Sequence, residues 1–130
     1  MTKKILLVGH CGPDSSYLRL AARSAAAEAS PSAPDAAILM VNDDAALEQA
    51  LLGRVDLLLV NRVLDGDFSD ADGVSLIARL KTVNPHLRLM LISNYADSQA
   101  AASKAGALAG FGKRDIGSAR VRTILVGALA

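Results

Sequence analysis

Val55-Asp56-Leu57-Leu58-Leu59-Val60-Asn61 is a short aliphatic run that stops abruptly on an amide. It is too short for a buried helix and is followed by polar residues and Gly66, which suits a strand buried on both faces of a parallel sheet. Two more runs share this form: Ile5-Leu6-Leu7-Val8 near the start, and Leu87-Arg88-Leu89-Met90-Leu91-Ile92 further on. Ala36 to Val41 reads as a weaker strand and Leu108 to Gly112 as a short fifth.

The segments between these runs have helical spacing. Tyr17 through Ala27, Ala45 to Leu52, and Val74-Leu76-Ile77-Leu80 each place apolar residues three or four apart. Helix-capping residues precede them: Asp14, Ser15 or Ser16 for the first helix, Asp43 for the second, Asp97 or Ser98 for the fourth and Ser118 for the fifth. Strand and helix thus alternate, which implies right-handed βαβ units with helices on both sides of a parallel sheet. Ser30-Pro31-Ser32-Ala33-Pro34 is expected to be a loop inside one domain covering residues 1–130, since neither flank could bury a core alone.

Composition narrows the function classes. The 130 residues are 52% hydrophobic and 21% charged, with two Phe, two Tyr and no Trp. The core must be aliphatic, and the aromatic platforms that single-stranded nucleic acid stacks on are missing. Fourteen basic and thirteen acidic residues leave a net charge of +1, so neither nucleic acid nor a membrane surface is the expected partner. No apolar run approaches the ~20 residues needed to cross a bilayer, and the expectation is a cytoplasmic protein whose partners are proteins. Cys11 is the only cysteine, which fits a reducing compartment and rules out an internal disulfide.

In an open parallel sheet, chemistry gathers beyond the carboxyl ends of the strands. Those ends carry Gly9-His10-Cys11, Asn42-Asp43, Asn61-Arg62, Ser93-Asn94-Tyr95 and Lys113-Arg114. At this level the chain resembles the receiver domain of bacterial response regulators, along essentially its whole length. Residues 55–61 are similar to the family's third strand, which ends on the phosphoacceptor aspartate, and Asp72-Gly73 to the pair that opens its third helix. Ser93 falls where the family keeps Thr or Ser, and Ala105-Gly106-Ala107 followed by Lys113 keeps the spacing to its lysine. The resemblance implies a flavodoxin-like (βα)5 three-layer α/β sandwich, with a five-stranded parallel sheet in the order 2-1-3-4-5.

The departures from that pattern bear on function. Receiver phosphorylation needs an aspartate nucleophile and an acidic pair after the first strand, because hard oxygen ligands must hold the divalent cation that screens the phosphoryl group. By resemblance, Asn61 stands at the phosphoacceptor position and Gly9 and His10 at the acidic pair, leaving a degenerate pocket of Gly9, His10, Asp14, Ser93 and Lys113. The family's switch aromatic aligns with Gly110, and Phe111, one residue on, is expected to face the other way. The usual partner face, made by the fourth helix, fifth strand and fifth helix, would include Lys104, Phe111, Arg114 and Arg120.

The reading is therefore a pseudo-receiver: not an enzyme, without metal or cofactor, acting in signal transduction by binding a kinase, regulator, output protein or second copy of itself. One alternative is a phosphorelay component locked in one state, or a kinase decoy. Another is a small redox sensor or enzyme built on Cys11 beside His10, against which Cys11 reads as a small buried hydrophobe. His10 could also act as a protonation switch, or simply bond nearby backbone. Asp14 either caps the first helix or swings back toward the missing acidic pair. Asp65, Asp67, Asp70 and Asp72 crowd the loop after the third strand, but their spacing lacks the terminal bidentate Glu of a calcium loop, and a solvated acidic loop is expected.

Overall fold

The computed structural model describes residues 2–130, apart from the side chain of Asp14. Five strands alternate with five helices: β1 Lys3–Val8, α1 Gly12–Ala29, β2 Ala36–Val41, α2 Asp44–Leu51, β3 Leu57–Asn61, α3 Gly73–Val83, β4 Leu89–Ile92, α4 Ala96–Lys104, β5 Leu108–Phe111 and α5 Ala119–Leu129. All neighbouring strands pair in parallel, in the order β2-β1-β3-β4-β5. This is the flavodoxin-like order that the resemblance implied.

The two-residue period of the strands divides the core into two layers. Ile5, Leu7, Leu57, Leu59, Met90, Ile92 and Phe111 pack against α1 and α5 through Leu18, Ala22, Val121 and Leu125. Leu6, Val8, Leu58, Val60, Leu89 and Leu91 pack against the other helices through Leu47, Leu76, Ile77, Leu80 and Ala102. Every residue of β3 is buried, as its run of aliphatic residues requires of a central strand.

The caps hold at three helices. Asp43 accepts from the Ala46 N–H at 2.6 Å, Asp72 from Ser75 at 2.9 Å and Ser118 from Val121 at 3.2 Å. Two expected caps are corrected. The first helix starts at Gly12 after an extended Cys11, with Pro13 in its first turn, where the fixed proline φ suits helix initiation. Asp14, Ser15 and Ser16 therefore lie inside the helix, and the Ser15 hydroxyl donates to the Gly12 carbonyl at 2.8 Å. The fourth helix starts at Ala96 after Tyr95, ahead of the expected Asp97 or Ser98. There the Tyr95 N–H donates to Ser93 Oγ at 3.1 Å, which turns the chain early. Just ahead of the third strand Asp56 binds Lys4 twice: its backbone N–H donates to Lys4 O, and its carboxylate accepts from Lys4 N, both at 2.8 Å.

Candidate functional site at the strand ends

Asn61 ends β3 at the centre of the sheet and is 7% exposed. Its Nδ2 group donates to the carbonyl of Gly9 at 3.0 Å and to that of Val63 at 2.8 Å. Both amide hydrogens are thus spent on main-chain oxygens, tying the end of β1 to the loop after β3. Two acceptors converging on one group demand a donor, and a carboxylate at neutral pH has none.

The loop from Arg62 to Asp72 folds back over the ends of β1 and β2. Asp65 N–H donates to Gly9 O at 2.9 Å, Asp67 N–H to Asn42 O at 2.9 Å, and Asp44 N–H to Asp67 O at 3.2 Å. Asp43 and Asp67 form an isolated parallel bridge, so this segment behaves as one residue of an extra strand beside β2. Asn42 adds a clamp from its side chain, donating to His10 O at 3.1 Å and Asp65 O at 2.9 Å. Leu64 and Phe68 pack against the core under the loop. Gly9 has φ +74°, and a Cβ there would lie 2.8 Å from Leu64 Cδ2. Leu64 therefore covers the end of β1, where a side chain at position 9 would otherwise project.

Two acids of this loop, Asp70 and Asp72, have structural partners, while Asp65 and Asp67 are exposed, as in the solvated loop expected. Asp72 caps α3. Asp70 binds Arg79 through both carboxylate oxygens, with Nη2 to Oδ2 at 2.8 Å. Asp44 accepts from the Ser69 N–H at 2.9 Å and lies 3.9 Å from the same guanidinium. The hydrogen bond to Asp70 raises the Arg79 pKa above its ordinary value; burial opposes it, and the charges of Asp70, Asp44 and Glu48 add to it. Among the described residues, no group of three or more His, Cys, Asp or Glu is arranged to hold a metal ion.

Asn61, Ser93 and Lys113 do come together, with Arg62, Val63, Ile92, Asn94 and Tyr95, around a cavity of about 120 Å³. The Arg62 guanidinium sits 4.7 Å from the centroid of the Tyr95 ring, within cation–π range. A larger cavity of about 570 Å³ opens at the opposite end of the strands, between Lys3, Leu51, Arg54, Leu80 and Leu87, away from the strand-end residues singled out as a candidate site.

His10 does not join this cavity. It is 1% exposed, and its Nε2 donates to Leu59 O at 2.8 Å, anchoring the end of β1 to β3. Cys11 is half-buried at the start of α1. The Asp14 side chain lies outside the described residues. On the expected partner face, Lys104, Arg114 and Arg120 are exposed, and Arg120 makes only a 3.6 Å pair with Asp115. Phe111 is the exception: at 2% exposure it packs in the α1–α5 layer and offers a partner nothing. The alternation of β5 turns it inward, opposite to Gly110, as its neighbour's position required.

The sequence reading missed Leu64, the Asn42 clamp and the Arg62–Tyr95 stack. Leu64 carried one signal: with Val63 it is an aliphatic pair just before Asp65 and Gly66 in a loop, where a solvated segment has no use for it.

No protein-family model matches the chain, and no curated protein does. Solved structures do resemble it. NtrX from Brucella abortus aligns with TM-score 0.67 and 21% identity over 99% of this chain, which spans only 27% of the NtrX chain. A putative response regulator from Chloroflexus aurantiacus gives TM-score 0.68 and 19% identity over 96% of this chain and 98% of its own. A response regulator from Burkholderia pseudomallei, solved with a phosphorylated aspartic acid, a calcium ion and citrate, gives 0.59 and 22% over 98% of this chain and 66% of its own. With the strand order and helix placement already described, these likenesses establish that the chain has the receiver fold of response regulators.

Proposed function

We propose that residues 1–130 form one pseudo-receiver domain, which acts in signal transduction by protein–protein interaction and is not phosphorylated by the magnesium-dependent aspartyl route. The observation that carries this reading is the Asn61 carboxamide, held between the carbonyls of Gly9 and Val63. A phosphoacceptor must present a free carboxylate oxygen to the incoming phosphoryl group and to its cation. Asn61 has no carboxylate, and its side chain braces the backbone instead. The loop above it supports the same reading, because Leu64 fills the space over Gly9 and the loop backbone occupies the ends of β1 and β2.

In this reading Ser93 and Lys113 are remnants of a phosphoryl-binding pocket, and Gly9 and His10 replace its acids. Asp14 belongs to the same pocket by resemblance. The domain is not an enzyme and needs no cofactor. Its partner is a kinase, regulator or output protein of the cytoplasm, or a second copy of the chain, engaged through a face that includes Lys104, Arg114 and Arg120. No described helix is long and apolar enough to cross a membrane.

The test is a magnesium titration followed by acetyl phosphate, monitored by amide NMR and intact mass. The expected result is no saturable shift at residues 9–10, 61–65 or 93 and no gain of a phosphoryl group. Saturable magnesium binding there, or an acid-labile phosphoryl adduct on any aspartate, would overturn the reading.

A further inference from the structure

We infer that Gln99 is a latch that holds α4 against β4 and β5 in one arrangement, so that this face of the domain is presented in a single conformation. The inference stands on the geometry of β5 and does not depend on the state of Asn61.

Between β4 and β5 the register slips: Met90 pairs with Leu108, but Ile92 pairs with Phe111. One step of two residues on β4 thus faces one of three on β5, a bulge that interrupts the ladder beside Leu91. Carbonyls beside such an interruption are buried acceptors that need donors. That of Phe111 already accepts from the Ser93 N–H at 2.9 Å, and Gln99 adds a side-chain donor. From α4 its Nε2 group reaches Leu91 O at 2.9 Å, Ser93 O at 3.1 Å and Phe111 O at 3.4 Å. One amide therefore joins the helix to both strands and to the loop that carries Ser93.

Gly110 makes room for it. An added Cβ there would overlap the Leu91 carbonyl oxygen and lie 2.9 Å from Gln99 Oε1. A large side chain at 110 and the Gln99 amide cannot share this space. With two hydrogens, the Gln99 amide is held chiefly by the Leu91 and Ser93 carbonyls at 2.9 and 3.1 Å, with the Phe111 carbonyl a longer third contact at 3.4 Å.

The rest of α4 makes the latch matter. The sequence Ala96-Asp97-Ser98-Gln99-Ala100-Ala101-Ala102-Ser103-Lys104 offers no large apolar side chain, and Ala102 is its only buried residue. A helix with so little apolar burial depends on its polar attachments. Gln99 provides attachments at the middle of its length.

Hydrogen exchange and relaxation dispersion on the whole protein test this. In the wild type, amides of 96–104 and 108–111 should show no exchange contribution on the microsecond-to-millisecond timescale. Gln99→Ala, and Gln99→Met, which keeps the length but loses the amide, should each lower the protection of α4 amides on the order of 10- to 100-fold. Amides of β1 and β3 should keep theirs. Millisecond exchange across α4 and β5 in the wild type would overturn the inference, and so would α4 protection unchanged in both variants. Should one variant fail to fold, the wild-type dispersion profile still decides.

Discussion

At the scale of single residues, the pocket turns on what Asn61 does with its two amide hydrogens. Replacing Asn61 by Asp exchanges a donor for an acceptor in front of the Gly9 and Val63 carbonyls. Two buried hydrogen bonds are lost and like partial charges face one another. The expected cost is about 2–4 kcal/mol in unfolding free energy, measurable as a lower urea midpoint at unchanged m-value. Stability equal to wild type at pH 7 would show that the amide is not a brace. Gly9→Asp is expected to fail for a different reason. Its positive φ disfavours a side chain, and the new Cβ would press on Leu64, so the loop must lift before an acid can be placed there. A loss of about 1–3 kcal/mol is predicted, with chemical shift changes centred on residues 62–68.

At the scale of elements, the loop between β3 and α3 is the part of the molecule least legible in the sequence. Its acids suggested a solvated loop. Its actual contacts depend on partners outside it: the Asp70 carboxylate on Arg79, and the backbone N–H groups of Asp65 and Asp67 on the Gly9 and Asn42 carbonyls. No local pattern encodes such pairings. The strands were legible because a parallel sheet buries both faces and leaves uninterrupted aliphatic runs, and Asp43 and Ser118 were legible because capping is local chemistry. The caps of α1 and α4 were not, since Pro13 and Ser93 moved the helix starts upstream of the polar residues that would have served. Arg79→Ala removes one tie of the loop. Arg79 is 43% exposed but the Asp70 side chain it binds is only 12% exposed, so the expected cost is about 1 kcal/mol, seen as faster hydrogen exchange in residues 65–70 with the rest unchanged. The raised Arg79 pKa stabilises the fold at every pH below the ordinary arginine value and is lost only as pH climbs through the raised one. From the arginine side the tie is thus constant across physiological pH.

At the scale of the whole molecule, the receiver fold survives because its determinants lie away from the strand-end pocket. The two layers of Leu, Ile and Val around β1, β3 and β4 hold the sheet together, and Leu58→Ala in the middle of β3 should cost about 2–5 kcal/mol, read by thermal or denaturant unfolding. The alternation of strands and helices was readable from spacing, while the strand order and the meeting of Asn61, Ser93 and Lys113 at one end of the sheet were implied by the resemblance to receiver domains. The site was only half readable: that Gly9, His10 and Asn61 carry no carboxylate was visible in the sequence, but the packing of the loop and the Asn61 brace were not. On the proposed pseudo-receiver reading, the pocket would resist phosphorylation even with a carboxylate at position 61, and Asn61→Asp tests this. The variant is incubated with magnesium and acetyl phosphate and its intact mass recorded. The loop packed over Gly9 and the absence of an acidic pair predict no phosphoryl adduct and no magnesium-dependent shift at residues 9–10 and 61–65; efficient magnesium-dependent phosphorylation of the new carboxylate would contradict this account.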